Sequence, residues 1–421
     1  MSVTYPLGFV AAGVAAGLKK SGGLDLAVVV NRGTRPAAAA VFTPNRFAAA
    51  PVLWSREAIT AAAPQGRCPV AVVLNSGGAN ACTGPAGYRH AQAEAEHLAT
   101  RLGLPDATDV LVCSTGLIGE LLPIDRVLAG IDDALAEIDG AGVASGGVAD
   151  AAKVGPADAP TGGPASAADG GAAAAEAIMT TDTRPKTTAA TAPAGYRIGG
   201  MAKGAGMLAP ELATMLVTLT TDAVLTPAQA QTALEEACRT TFNRIDSDGC
   251  MSTNDTVILL ASGESGITPD PAEFTATLTA CCADLARQLI GDAEGASHDI
   301  RIDVTGATTE AAALAVARAI ARSNLLKTAI FGNDPNWGRV LSAAGTVPPD
   351  VAPYDPTQVD VTINGVTVCV GGGVGADRDL VDLAGRDVGI VVGLSAGDAS
   401  ATLWTNDLTH DYVHENSAYS S

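Results

Sequence analysis

The 421-residue chain carries 25 Lys and Arg against 45 Asp and Glu, a formal net charge of −20. That balance excludes the basic face a nucleic-acid binder needs and argues against docking on anionic membranes. With 47% hydrophobic and 17% charged residues the chain reads as globular, long enough for two or three domains, and no run of 18 apolar residues signals a membrane span.

The N-terminal stretch has its lysines, Lys19 and Lys20, after the apolar residues rather than before them, so no secretory signal is expected. Leu26–Val30, Val70–Leu74 and Asp109–Cys113 read as buried strands. Gly84-Pro85 opens a helix to Leu102, with Ala91, Ala95, Leu98 and Leu102 as its apolar stripe and Gly103 as its C-terminal cap. Residues 140–173 change character: 24 of these 34 are Gly, Ala or Pro. Such a segment buries too little apolar surface to repay its ordering, which predicts a mobile surface insertion. Strands follow at Gly195–Gly200 and at Met215–Thr221, the latter rich in β-branched residues. Thr226-Pro227-Ala228-Gln229 is a capping box that starts a helix running to about Arg244. A strand at Thr256–Leu260 comes next. Asp270-Pro271-Ala272-Glu273 repeats the start signal, and Phe274, Leu278, Cys281, Leu285 and Leu289 form a core-facing stripe. A strand at Ile300–Val304, a helix from Thr309 to Arg322, and strands near Val359–Val370 and Val388–Leu394 complete a mixed α/β pattern.

Local motifs taken singly favour structural readings. Eight cysteines show no CxxC or CxxH spacing and read as buried reduced thiols of a cytoplasmic protein. Five histidines form no zinc motif; His410 and His414 are four apart but lack a third ligand nearby, so no metal site is expected. Gly204-x-Gly206-x-x-Ala209 matches the dinucleotide fingerprint only loosely, and Pro210 breaks the helix that should follow. Asp246-Ser247-Asp248-Gly249 lacks the turn glycine of a calcium loop and reads as a tight turn. Cys113-Ser114-Thr115-Gly116 closes a predicted strand, where backbone amides can face an anion or oxyanion. Thr214, between Ala213 and a predicted strand, is a latent nucleophile. Cleavage of the Ala213–Thr214 bond would place a new α-amine, with a reference pKa of about 7.7–8.0, beside its hydroxyl as general base.

Together these segments resemble the ornithine acetyltransferases of the ArgJ type, self-processing enzymes of arginine biosynthesis. The matching stretches are LNSGGANACTG at 74–84, STGLIG at 114–119, AIMTTDTRPK at 177–186 and GGMAKGAGMLAPELATML at 199–216. SDGCMSTNDT at 247–256, DAEG at 292–295, LLKTAIFGNDPNWGRVL at 325–341 and DLTHDYVHENSAYSS at 407–421 follow in order. The resemblance implies an ArgJ/DmpA-like layered sandwich resembling the N-terminal-nucleophile enzymes. It implies self-cleavage between Ala213 and Thr214, giving an alpha chain of residues 1–213 and a beta chain of 214–421 that assemble as a cytoplasmic α2β2 heterotetramer. Thr214 would attack the acetyl group of N2-acetyl-L-ornithine, and the acetyl-Thr214 ester would pass it to L-glutamate. Thr115 and Gly116 match the oxyanion-hole positions. Thr180, Lys203, Thr214, Glu294, Asn416 and Ser421 match the substrate-binding positions, with Lys203 facing a substrate carboxylate and Glu294 an amino group. Asp222 and Asp255 are candidates for holding active-site backbone. Asn333–Arg339 is expected to form a rigid turn, and Tyr412 and Tyr419 to anchor the tail. No metal or tightly bound cofactor is implied, and acetyl-CoA as a second donor is left open. Two rivals use the same residues differently: a hydrolase that passes the acyl group from Thr214 to water, and an uncleaved amino-acid-binding paralogue.

Overall fold

The computed structural model describes residues 1–144, 167–207 and 215–418, which form a mixed α/β fold with three sheets. The first sheet contains β1 (Phe9–Val14), β2 (Leu26–Asn31), β4 (Ala71–Asn75) and β5 (Val110–Ser114), in that order. Across the second run β3 (Ala37–Phe42), β9 (Thr256–Ala261), β8 (Leu216–Thr221), β7 (Arg197–Lys203) and β6 (Lys186–Thr191). The third holds β13 (Gly373–Val374), β12 (Val366–Val370), β11 (Asp360–Ile363), β14 (Asp387–Gly393), β10 (Asp299–Ala307) and β15 (Ala399–Asn406). The helices are α1 (Ala50–Ala62), α2 (Gly84–Leu102), α3 (Ile124–Ala144), α4 (Ala167–Ala177), α5 (Pro227–Thr240), α6 (Pro271–Ile290), α7 (Glu310–Ala321), α8 (Asn324–Phe331), α9 (Trp337–Ala344) and α10 (His410–Ala418).

Two parallel pairs organise the first two sheets. Parallel neighbours need a crossover rather than a tight turn, and α2 and α5 supply it for β4–β5 and β8–β9. Helix α2 buries Ala91, Ala95 and Leu98, and it stops where Gly103 turns left-handed at φ +66°. Helix α5 carries the complete Thr226–Gln229 capping box. It ends at Thr240, short of the expected Arg244, because Thr241 leaves helical geometry; Phe242–Arg244 is a separate 3₁₀ turn that buries Phe242. One core joins the first sheet and its helices to one face of the second, through Ala38, Ala40, Met201, Leu216, Ile258 and Leu260. The opposite face of the second sheet packs under α5 and α6, where Phe274, Leu278, Cys281, Leu285 and Leu289 are all buried. A third core fills the space between the third sheet and α7–α9.

The expected insertion at 140–173 needs correction at both ends. Residues 140–144 finish α3, and 167–173 begin α4; the remainder, 145–166, lies outside the described residues. Helix α4 packs on β1 through small residues. A Cβ on Gly13 would sit 2.1 Å from the Ala173 carbonyl oxygen, and one on Gly170 would sit 2.1 Å from that of Ala11. The helix contributes little apolar surface of its own, yet its backbone comes close enough to cover β1, which composition alone does not report. Gly13→Ala is therefore expected to destabilise the chain by about 1–3 kcal/mol, the usual range for overpacking, because a backbone rather than a side-chain end must move. A urea midpoint indistinguishable from that of the parent would contradict this packing.

Three further expectations change. The run near Val359–Val370 is a hairpin, β11 and β12, turned by Asn364-Gly365 with both residues at positive φ. The strand expected at Gly195–Gly200 starts later, at Arg197, after a turn in which the Gly195 amide donates to the Ala192 carbonyl. Of the eight cysteines, none of which is paired, five are buried; Cys68 is half-buried, and Cys82 and Cys250 are exposed because both stand in turns. No helix among the described residues is long and apolar enough to cross a membrane.

Candidate active site

The carboxyl end of β5 meets the carboxyl end of β7 in the second sheet. Strand β5 is buried throughout and delivers Thr115, which pairs across an isolated bridge with Gly78 and donates its amide to the Asn75 carbonyl at 3.0 Å. Gly116 follows at φ +132°, where a Cβ would fall 2.8 Å from the Gly78 nitrogen, so only glycine fits. Asn254, just before β9, ties the loop down: its Nδ2 donates to the carbonyls of Ala79 (2.6 Å) and Ser114 (2.7 Å). The result is a turn tied down from two sides, in which neither the Thr115 hydroxyl nor the Gly116 amide is used to hold it. The Thr115 hydroxyl is buried beneath it. The exposed Gly116 amide makes no hydrogen bond among the described residues.

Lys203 ends β7 fully buried, and its Nζ donates to Thr115 Oγ1 at 3.2 Å. Burial lowers the ammonium from its ordinary range. Asp182 opposes that effect, Lys186 adds to it, and Glu294 and Asp255 also oppose it. Asp255 is fully buried, and burial pushes its carboxyl well above the ordinary carboxylate range. Its Oδ1 accepts the Met215 amide at 3.1 Å, and Oδ2 has no partner among the described residues. Asp255 thus holds the backbone that opens β8. Asp222 does similar work elsewhere, accepting the amides of Leu7 (3.1 Å) and Arg197 (2.7 Å).

A second cluster adjoins the first through Gly204 and Ala205. The Glu294 amide donates to the Ala205 carbonyl at 3.0 Å. Its carboxylate accepts from Thr181 Oγ1 at 2.7 Å and from Asn416 Nδ2, on α10, at 2.9 Å. Thr180, half-buried, donates its amide to Asp182 Oδ2 at 2.9 Å. Asp182 also accepts the Gly204 amide at 2.7 Å, and Lys186 lies between Asp182 and Asp292 at 2.5 Å from each. Helix α10 is fixed by more than Asn416. Thr409 Oγ1 donates to the Gly295 carbonyl and accepts the Tyr412 amide, and Tyr412 is half-buried beside Asp248. The Asp246–Gly249 turn takes part: Asp248 accepts the amides of Met207 (2.8 Å) and Cys250 (3.0 Å). The expected turn is shorter than Asn333–Arg339: it ends at Asn336, which caps α9, and Trp337–Arg339 already belong to that helix; Asn333 is at positive φ.

Of the residues singled out from the sequence, Thr115 joins Lys203 directly, Glu294 joins Asn416 directly, and Thr180 joins the Lys203 strand end through Asp182. Gly116 borders Thr115. Ala213, Thr214, Tyr419 and Ser421 lie outside the described residues. The residues missed are Thr181, Asp182, Lys186, Asp248, Asn254 and Asp292. All occur inside matched stretches, but only tertiary contacts reveal what they hold.

Residues 10–421 match the model of the ArgJ family. The chain belongs to the ArgJ family. Arginine biosynthesis bifunctional protein ArgJ of Bifidobacterium longum is 56% identical over 423 residues, and that of Thermobifida fusca 57% over 422, each covering 100% of both chains. A solved ornithine acetyltransferase of Mycobacterium tuberculosis, complexed with ornithine, is 49% identical over 50% of this chain and 96% of its own, with a TM-score of 0.41. The two clusters of this ArgJ family member draw on segments from Asn75 to Asn416, all within the matched residues.

Proposed function

We propose that this ArgJ family member is the acetyltransferase of arginine biosynthesis that moves the acetyl group of N2-acetyl-L-ornithine to L-glutamate. Full-length identity with bifunctional arginine-biosynthesis proteins supports the reaction class. The observation that carries the mechanism is the turn at Thr115 and Gly116: a hydroxyl beside an amide that has no partner among the described residues, with a buried ammonium behind the hydroxyl. Such a pair stabilises the oxyanion of an acyl transfer.

In this reading the Ala213–Thr214 bond breaks first. The chain becomes two pieces, 1–213 and 214–421, which stay together because β7 and β8 are adjacent, hydrogen-bonded strands on either side of the break. Thr214 Oγ then attacks the acetyl carbonyl while its own α-amine takes the hydroxyl proton. Thr115 and Gly116 hold the tetrahedral oxyanion, L-ornithine departs with the proton, and an acetyl ester on Thr214 remains. The amino group of L-glutamate attacks the ester, giving N-acetyl-L-glutamate and restoring Thr214. Lys203 faces a substrate carboxylate; Thr180, Glu294, Asn416 and Ser421 complete the binding site, with Glu294 toward the amino group. The assembly is a cytoplasmic α2β2 heterotetramer without metal or bound cofactor, and acetyl-CoA is a candidate second donor.

The test begins with intact masses under denaturing conditions. Two fragments, the second starting at Thr214, are expected, with Thr214→Ala remaining whole. Products from N2-acetyl-L-ornithine are then analysed with and without L-glutamate. N-Acetyl-L-glutamate formed only with glutamate supports the transferase. Acetate formed regardless of glutamate identifies the hydrolase instead, and a whole wild-type chain without transfer identifies a binding protein. The same assay with acetyl-CoA as donor reads the second activity.

A further inference from the structure

Asp182, Lys186 and Asp292 form a buried ion cluster to which the proposed mechanism assigns no role. Lys186 and Asp182 are fully buried and Asp292 nearly so, and the ammonium lies 2.5 Å from each carboxylate. A buried charge without compensation is costly, so such a group persists only where its remaining hydrogen-bonding capacity is met. Here it is met by backbone. Asp182 Oδ2 takes the Thr180 amide at 2.9 Å and Oδ1 takes the Gly204 amide at 2.7 Å. Asp292 takes the Thr183 amide at 3.0 Å and the Thr183 hydroxyl. Thr180 and Lys203 match substrate-binding positions, Gly204 follows Lys203 directly, and Asp292 lies two residues before Glu294, whose amide is on Ala205. The Asp182 carboxylate therefore connects two segments that contribute to the pocket, and Lys186 links it to the third.

We infer that Asp182 is a positioning residue of the substrate pocket: it fixes the Thr180 loop against the end of β7 through the Gly204 amide next to Lys203, and it supplies a negative charge near that ammonium. Lys186 and Asp292 hold it in place from behind. The proposal rests on the acetyl-transfer reading and says which group keeps that pocket's cation in register. The charged groups facing Lys203 are Asp182, Lys186, Glu294 and Asp255. Of these anions it is Asp182 whose carboxylate bonds the amide next to Lys203. The influence is mutual: although burial pushes the Asp182 carboxyl up, Lys203 and then Lys186 bring it below the ordinary range.

The test compares the processed wild type with Asp182→Asn and Asp182→Glu. Three quantities are read: L-ornithine affinity by calorimetry, KM against kcat for N2-acetyl-L-ornithine, and the pH profile of kcat/KM. Asparagine retains an acceptor for Gly204 but loses the counter-charge and one acceptor. It is expected to weaken ornithine binding and raise KM at least tenfold, with kcat changed less. It is also expected to move the alkaline limb of the profile to lower pH, because Lys203 gives up its proton more readily once its anion is gone. Glutamate keeps the charge but displaces it, so KM rises while the limb stays near its wild-type position. A general loss of structure would scale the profile without moving that limb. Unchanged affinity and KM in Asp182→Asn, or a profile lowered but not shifted, overturns the inference. If Asp182→Asn does not fold, unchanged KM in Asp182→Glu overturns it alone. A wild type that transfers no acetyl group defeats the functional reading instead, and ornithine affinity, which needs no turnover, still decides on Asp182.

Discussion

Replacing Thr115 with valine is expected to lower kcat for acetyl transfer by about 10²–10³-fold, the usual cost of one oxyanion-hole donor, with KM changed far less. The backbone sets this expectation. The Thr115 amide is already committed to the Asn75 carbonyl, so the side-chain hydroxyl is the donor Thr115 has to offer. That hydroxyl accepts from Lys203 Nζ, and accepting a hydrogen bond from an ammonium makes a hydroxyl a stronger donor through its own proton. Valine fills the same volume, so the β5 end and its bridge to Gly78 have no steric reason to move. It removes the donor and also leaves the Lys203 ammonium without the oxygen it bonds. Serine keeps the hydroxyl and is expected to retain within about tenfold of the parental rate, since it loses only a methyl. Steady-state kinetics on the three proteins, each checked by intact mass for equal processing, decide the matter. A valine variant within threefold of wild-type kcat would remove Thr115 from the oxyanion hole and leave Gly116 to act with some other donor.

How much of this site the sequence discloses depends on the distance over which its parts act. The turn at Cys113–Gly116 is a local feature, a strand followed by small residues, and it is legible as an anion-facing loop without any comparison. The bond from Lys203 to Thr115 spans 88 positions, and no periodicity carries information over that range. Only the resemblance to a family places the two together. Asp182 and Lys186 are missed although they are only four positions apart. They lie in a turn and at the start of β6, fully buried, with a third partner 106 positions away. A spacing of four carries no sign of that burial, which is what gives the pair consequence.

The four helices expected from the sequence, α2, α5, α6 and α7, are legible for a similar reason, whereas α1, α3, α4, α8, α9 and α10 are not expected from it. The α2 boundary and the α5 capping box follow from residues within one turn of the helix end. Strand β3 has the sequence AAAAVF, and alanine carries no β preference. What makes it a strand is its place at the edge of the second sheet, with Ala37 and Ala39 facing one core and Ala38 and Ala40 the other. Gln231 of α5 then occupies part of its free edge, accepting the Ala40 amide at 3.2 Å and donating to its carbonyl at 3.1 Å. Helix α4 was lost in a Gly/Ala-rich stretch because its contribution lies in how closely its backbone approaches β1. The β11–β12 hairpin did carry a local signal, Asn364-Gly365, within a run whose apolar residues suggested one continuous strand.

Glu94 is the position where a simple polarity reading fails most completely, and its consequence is measurable. It lies within the α2 stripe, three residues after Ala91, and is fully buried, with neither carboxylate oxygen bonded among the described residues. Burial pushes its pKa up to about 8, against 4.5 for an ordinary glutamate. Between those values the folded carboxyl keeps its proton while the unfolded one releases it. The folded state then binds more protons, and stability falls as pH rises, by about 1.4 kcal/mol for each pH unit. Below about pH 4.5 both states are protonated and Glu94 contributes no slope; above about pH 8 both are ionised and the loss, on the order of 5 kcal/mol, is complete. Glutamine has nothing to ionise and removes this slope, though its buried amide still lacks partners. The comparison is best made in the uncut Thr214→Ala chain, so that a single polypeptide unfolds. Urea midpoints at pH 5.5, 6.5 and 7.5 are expected to diverge, with Glu94→Gln gaining on its parent by roughly 1 kcal/mol or more per pH unit. Groups common to both chains, such as Lys327, lowered to about 8 by burial, cancel in the difference. Two curves that stay parallel across this range would mean that water or a rearranged neighbour reaches Glu94 and that α2 does not seal its carboxyl from solvent.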